Sequence, residues 1–266
     1  MSNFSASSVE RCMKLLELLV DHSSGLSISA ISQKLALPLS ATHRLLQALV
    51  ASHYVKQEGF SDRYVPTLRL SAMGLRLLAS TKITQACQPP LDELARQSGE
   101  LVRLAVVDGD AMSCLAQSQG ATGSIRYDPI NGQDVSLHTT AKGKIWLASM
   151  PEDKALALVE ARGFDNSLVG PRAVKTIDEL RRSIRATRKL GFGLNEQESE
   201  MGLSAIAMLV VDHNDPHVIL GAVSIAGLSF KLDRARLLTF VEPLRMAVQQ
   251  ISLLWPVRAY QARDAA

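Results

Sequence analysis

Across 266 residues there are only three cysteines, Cys12, Cys87 and Cys114, and they stand far apart. An odd, scattered set suits neither a disulfide framework nor a zinc cluster, so the three are expected as small buried residues. Long apolar runs are missing too: no stretch approaches the roughly eighteen uncharged residues a membrane span requires. The opening MSNFSASSVERCMK lacks the charged-then-apolar order of a signal peptide, which leaves the cytosol as the expected compartment. There is no internal repeat and no low-complexity segment. A phosphate loop is also excluded. HTTAKGKIWLA, His138 to Ala148, holds Gly143-Lys144, but position 138 is histidine where such a loop needs glycine, and position 145 is isoleucine where it needs Ser or Thr. No cofactor and no metal site is therefore expected.

The composition is that of a globular chain, 47% apolar and 21% charged, and 266 residues more naturally make two domains than one. The net charge of +3 gains meaning from its location: residues 1–80 hold eight Lys and Arg against five Asp and Glu, so the whole excess lies there. Within 24–80, Lys34, Arg44, Lys56, Arg63, Arg69 and Arg76 face only Glu58 and Asp62. Such asymmetry suggests a nucleic-acid partner, although a solvated basic face has the same composition.

VERCMKLLELLVDH places Val9, Met13, Leu16 and Val20, joined by Leu15 and Leu19, at helical spacing. LSISAISQKLALPLSATHRLLQALVASHYV reads as two helices broken at Leu37-Pro38-Leu39. Ile28, Ile31 and Leu35 mark the inner face of the first; Thr42, Leu45, Leu46 and Leu49 mark that of the second, with Ser40 as its N-cap. YVKQEGFSDRYVP alternates around a Gly-containing turn, as a β-hairpin does. Three helices and a hairpin describe a winged helix-turn-helix, in which the second helix of the pair enters the major groove of double-stranded DNA. Ser40, Ala41, His43, Arg44 and Gln47 then point outward. Arg44 can fork onto guanine and Gln47 onto adenine, whereas Ser40, Lys56 and Arg63 suit phosphates.

From Thr67 to about Ser98 the pattern is helical, with a break expected at Pro89-Pro90. ELVRLAVVDGDAMSCLAQSQ is two strands about an Asp-Gly turn, a further pair is expected around SIRYDP and QDVSL, and helices follow near 140–149, 152–162 and 176–190. SAIAMLVVDHNDPHVILGAVSIAG is a second hairpin with its turn at His213 to Pro216, and one amphipathic helix is expected from about Asp233 to Leu254. Strand pairs separated by helices argue for α+β, an antiparallel sheet flanked by helices. In HTTAKGKIWLA, Thr139-Thr140 are N-cap candidates, and Ala141, Lys142 and Gly143 are expected to present free N–H groups that favour a small anion, with Lys144 facing solvent.

The segments GLSISAISQKLALPLSATHRLLQALVASHYV, LHTTAKGKIWLA, GFGLNEQESEMGLSAIAMLVVD and GAVSIAG, in this order and spacing, resemble the IclR family of bacterial transcriptional regulators over nearly the whole chain. The resemblance implies residues 1–66 as the winged helix-turn-helix DNA-binding domain, 67–86 as a helical linker and 87–266 as a GAF/profilin-like effector-binding domain. It also implies a homodimer or tetramer on a palindromic operator and a small organic, often aromatic, acid as effector. The pocket positions it maps here are Ala141 and Lys142 after the Thr140 cap, Asn195, Ala205, Ser224 and Ala226, with Tyr127 and Val135 as apolar wall. Departures are Ser40-Ala41-Thr42 for the family's Ser-Thr-Val, Ala36 for the turn glycine, a replacement that a right-handed turn conformation tolerates, and Asn195 for the pocket's aspartate, which removes a charge.

The rival from another class is a small-molecule enzyme using the C-terminal pocket. Glu196, Glu198 and Glu200 in NEQESE, with His138, supply acid and base groups, but alternating carboxylates on an irregular loop are usually solvated and no nucleophile–base pair accompanies them. DHNDPH has two histidines four apart, yet Asn-Asp-Pro is turn chemistry and a metal needs further ligands. A protein-docking winged helix is a third reading, against which the basic excess of 24–80 argues.

Overall fold

In the first unit, helix α1 (Ser8–Asp21) begins where the Ser7 hydroxyl accepts the Glu10 N–H, and it buries Leu15, Leu16 and Leu19. The computed structural model describes residues 7–129, 132, 134–164 and 169–256, and the chain divides into two units, Met1–Ser80 and Thr81–Ala266. The α1 face is rotated from the expected stripe: Val9, Met13 and Val20 stay exposed, because the i, i+3, i+4, i+7 set built on Cys12 takes the core side. Helix α2 (Ile28–Lys34) is capped by Ser27, and α3 (Leu39–Ala51) follows across a short turn. Pro38, not Ser40, occupies the α3 N-cap position, since its ring fixes φ at −57° and sets the helix entry without a side-chain cap. Thr42 fits an apolar position by donating its hydroxyl to the Pro38 carbonyl at 3.1 Å. Strands β1 (Val55–Gln57) and β2 (Tyr64–Pro66) pair antiparallel as the wing, and α4 (Leu68–Thr81) adds Leu70 to the shared core of Leu15, Leu19, Ile31, Leu46, Leu49, Val55 and Tyr64.

Ala36 does not take a right-handed turn; its φ is +51°. A left-handed alanine costs about 1–2 kcal/mol, and the extra freedom of an unfolded glycine offsets about 0.4–1 of any relief, so Ala36→Gly is expected to stabilise this unit by about 0.5–1 kcal/mol. Slower amide exchange in α2 and α3 would register the gain; unchanged exchange would show that the turn is unstrained.

In the second unit Lys82 is left-handed, with φ 58°, and α5 (Ile83–Ser98) follows. The expected break at Pro89-Pro90 does not occur, because both prolines lie inside α5. Cys87, Leu91 and Leu94 are packed in the core on either side of the pair, and that burial outweighs two missing backbone donors. Burial also pushes the Cys87 thiol up to about 12. Strands β3 (Leu101–Asp108) and β4 (Ala111–Gln119) form the expected hairpin at Gly109. Then come α6 (Ala141–Ser149), α7 (Glu152–Arg162), α8 (Ile177–Leu190), β5 (Gly193–Glu196), β6 (Leu203–Val211) and β7 (Ile219–Leu228). The sheet is antiparallel throughout in the order β4-β3-β7-β6-β5.

Among the described residues the expected strand pair at SIRYDP and QDVSL is not formed. Gln119 supplies hydrogen bonds a strand neighbour would give, donating to the Tyr127 carbonyl and accepting from the Ala121 N–H, while Asp134 makes one isolated bridge to Ser113. Ile130, Asn131 and Gln133 lie outside the described residues. At the β6–β7 turn, Asp212 Oδ1 accepts from the Asn214 and Asp215 N–H groups at 2.7 and 3.3 Å, so DHNDPH is turn chemistry. Among the described residues no His, Cys, Asp and Glu cluster is placed to hold a metal ion. The last helix is two, α9 (Arg234–Thr239) and α10 (Val241–Leu254), because Pro243 has no N–H for the Thr239 carbonyl and the chain turns at Phe240.

The two faces of the sheet differ in side-chain size. Val102, Leu104, Ile206, Met208, Val223 and Ile225 meet α5 and α10, whereas Ala105, Ala205, Ala207, Ala222 and Ala226 lie on the side of α6. Alternation along each strand makes this division, and the small side leaves open volume.

Candidate functional site

Two adjacent cross-strand rows form the floor of a cavity on the small-residue face. In one row Arg103 of β3 stands opposite Ser224 of β7, which stands opposite Ala207 of β6; in the next, Ala226 stands opposite Ala205, which stands opposite Asn195 of β5. Tyr127 and the start of α6 border the cavity, which offers about 70 Å³ of free space. One water needs about 10–15 Å³ on this scale, so a small organic molecule fits.

Helix α6 is buried on every side, both of its lysines included. Thr140 is its N-cap: the hydroxyl accepts the Gly143 N–H at 3.1 Å. Of the three N–H groups expected free, Gly143 is therefore taken, and Ala141 and Lys142 remain for a ligand. Gly143 is needed for close approach, because a Cβ there would lie 2.4 Å from the Leu137 Cα and 2.5 Å from its carbonyl oxygen.

The two lysines have different roles. Lys144 does not face solvent; its Nζ lies 2.7 and 2.8 Å from the carboxylate oxygens of Glu198, and both side chains are about nine-tenths buried. Burial raises the Glu198 carboxyl above its ordinary range against the pull of Lys144. Lys142 lines the cavity with Arg103, and its Nζ donates to Ser224 Oγ at 3.3 Å. Burial pushes the Lys142 amine below the usual lysine range. Burial likewise raises the Tyr127 phenol, with the Arg103 charge acting the other way.

Asn195 turns its amide to the loop that follows. Its Oδ1 accepts from the Glu198 N–H at 2.8 Å and the Ser199 N–H at 3.4 Å, and its Nδ2 donates to the Ser199 hydroxyl. Glu198 is thus held in the interior by Lys144, whereas Glu196 is paired with Arg234 at the surface. Buried His138 packs its ring edge-on to Phe164, 5.1 Å between centroids.

Of the mapped pocket positions, Tyr127, Thr140, Ala141, Lys142, Asn195, Ala205, Ser224 and Ala226 come together on this one cavity. Val135 does not; it lines a neighbouring cavity with Leu137, His138 and Val159. Arg103, Ser199, Leu203 and Ser204 also line it and are not among the mapped positions. Only Arg103 left a signal in the sequence: a single charge within LVRLAVV, a run whose two faces are both apolar and therefore both buried.

On the first unit, Ser40, His43, Arg44 and Gln47 are exposed along α3, Ala41 is half-buried beside them, and Lys56 is exposed on β1. Arg63 stands at the turn end of the wing, just before β2, its guanidinium donating to the Gly25 carbonyl at 3.3 Å.

A winged helix joined to an antiparallel-sheet unit with a buried polar cavity is the architecture of a two-unit transcriptional regulator. Residues 8–59 match the IclR helix-turn-helix domain and residues 75–253 the bacterial transcriptional regulator IclR C-terminal family, and the chain belongs to the IclR family. It is 29% identical over 240 residues to the HTH-type transcriptional regulator XynR of Escherichia coli K12, covering 90% of this chain and 93% of that one. Among solved structures, an IclR family regulator from Brucella abortus is similar at TM-score 0.76 and 24% identity, covering 95% and 94% of the two chains. An IclR homolog from Microbacterium hydrocarbonoxydans, complexed with 4-hydroxybenzoate, is similar at TM-score 0.72 and 22% identity, covering 94% and 99%. At these identities the structures bear on the fold alone. No described helix is long and apolar enough to cross a membrane.

Proposed function

We infer that this protein regulates a metabolic or catabolic operon, binding a palindromic operator as a homodimer or tetramer in the cytoplasm and responding to a small organic acid in the cavity of its second unit. The observation that carries the reading is the pairing of a buried Lys142 amine with the open Ala141 and Lys142 N–H groups at the start of α6, within a cavity whose wall, among the described residues, has no acidic side chain. Helix starts attract anions, and a buried amine able to donate a hydrogen bond adds to that preference. The alanine floor suits the apolar part of the acid, and the 4-hydroxybenzoate bound by one relative is an acid of this kind. DNA binding is assigned to residues 1–66, with Ser40, Ala41, His43, Arg44 and Gln47 toward base edges and Lys56 and Arg63 toward phosphates; 67–86 is the helical linker and 87–266 the effector-binding domain. An enzymatic reading lacks its acid–base pair, since Glu196 and Glu198 are held by Arg234 and Lys144.

The test is a gel shift on the DNA upstream of the protein's own gene, with and without a panel of small carboxylic acids. Binding is expected, with an acid-dependent change in affinity. Arg44→Ala should weaken it by about 1–3 kcal/mol and relax one operator position, whereas Lys56→Ala should weaken all sequences alike and reduce the salt slope by about one. Unchanged affinity in both variants would remove α3 and the wing as the interface.

A further inference from the structure

A different cavity of the second unit lies between the start of β3, residues 121–127 and the loop that leads into α9. It offers about 190 Å³ of free space and, among the described residues, shares only Tyr127 with the lining of the first. Its wall holds one acidic residue, Glu100, whose side chain is only 7% exposed. Gly227 makes room for that side chain, since a Cβ there would collide with Glu100 Oε2. Little compensates the burial. Among the described residues no N–H or O–H donates a hydrogen bond to the carboxylate, and its one ion pair, with Arg236, is a loose 3.4 Å. The Arg236 guanidinium is turned to main chain instead, donating to the Lys231 carbonyl at 3.0 Å and the Ser98 carbonyl at 3.3 Å. Lys231 has no carboxylate partner among the described residues, and its ammonium lies over the Phe230 ring, 5.6 Å from the centroid. Burial raises the Glu100 carboxyl above its ordinary range, against the pull of Arg236 and Lys231. A carboxylate removed from water without hydrogen bonds is costly, and a ligand that donates to it relieves the cost.

We propose that this cavity is a second ligand site and takes a free acidic α-amino acid, whose ammonium donates to Glu100 while its two carboxylates meet Arg236 and Lys231. Charge selects this class. Arg126, Lys231 and Arg236 border the cavity, but Arg126 is already paired with Asp128 at 3.1 Å, which leaves two cations against the one carboxylate of Glu100. An acidic amino acid carries two carboxylates against one ammonium, the mirror of that wall, and each contact it makes is a charge-assisted one. A neutral amino acid leaves a cation unmatched. A dicarboxylic acid without the ammonium brings like charge to Glu100 and no donor, so the buried carboxylate acts against it.

The test titrates the full-length protein calorimetrically with L-glutamate and L-aspartate, with L-glutamine, which lacks the second carboxylate, and with glutarate, which lacks the ammonium. Hydrogen exchange on the same mixtures locates the bound molecule. L-Glutamate or L-aspartate is expected to bind about ten-fold or more tighter than glutamine and glutarate, a ratio equivalent to about 1.4 kcal/mol. It should slow exchange at 121–127 and 228–236 and leave the start of α6 unchanged. Glu100→Gln should bring glutamate and glutarate near parity, and Lys231→Ala should do the same for glutamate and glutamine. The ranking and the exchange map of the parent decide the matter even if a variant folds poorly. The proposal is overturned if neither acidic amino acid binds at millimolar concentration, if glutarate matches glutamate in the parent, or if Glu100→Gln keeps the parent's preference. Protection confined to the start of α6 also overturns it, while supporting an acid in the first cavity.

Discussion

Glu198→Leu is expected to cost the second unit about 3–5 kcal/mol, because it leaves the Lys144 ammonium buried without its partner. The single substitution removes both short contacts, at 2.7 and 2.8 Å, from a lysine whose side chain is only 10% exposed. The double variant Lys144→Met with Glu198→Leu should recover most of that loss, since two apolar side chains of similar volume replace a pair that was costly to desolvate. Thermal melting of parent, both single variants and the double variant gives the coupling directly. If the single and double variants melted alike, the pair would not act as a unit, and the loop after β5 would be held by Asn195 alone.

Gly143→Ala is expected to be of comparable size. Its Cβ would enter the backbone of Leu137 and meet the Ser136 carbonyl oxygen at 2.6 Å, and backbone has no rotamer by which to retreat. Overpacking usually costs about 1–3 kcal/mol, and a clash with main chain on this scale belongs at or above the top of that range. The relaxation available shifts the first turn of α6, the turn whose N–H groups and Lys142 border the cavity, so acid binding should fall together with stability. Gly74→Ala provides the contrast: it lies inside α4 with nothing within 4 Å of the added carbon, and should gain about 0.5–1 kcal/mol from helix propensity. Equal melting temperatures for the two variants would contradict the close approach at residue 143.

These two residues show what the sequence could and could not convey. Periodicity and local chemistry are short-range signals, so the three hairpins, the α6 start at Thr140 and the inner face of α3 were legible. The role of Lys144 was not, because its partner lies 54 residues further on and nothing within AKGK distinguishes a buried lysine from a solvated one. Pro89-Pro90 misled for a related reason: local propensity predicts a break, and packing of Cys87, Leu91 and Leu94 on either side overrides it. A right-handed turn would tolerate alanine at position 36, yet the chain between α2 and α3 holds Ala36 left-handed. Most of the cavity wall came through family resemblance rather than spacing; Arg103, which did not, was the one residue whose burial its own strand betrayed.

The unequal faces of the sheet separate two kinds of change. The branched side chains under α5 and α10 carry much of the apolar burial, whereas the floor beneath α6 is mainly Ala205, Ala226 and Ser224, side chains of a few atoms each. Exchanging one small residue for another on that floor reshapes the chamber by roughly a methyl or hydroxyl and removes little buried surface. Ligand preference in such a protein can therefore drift residue by residue while the opposite layer keeps the unit folded, and chemical taste and thermal endurance answer to different sets of positions.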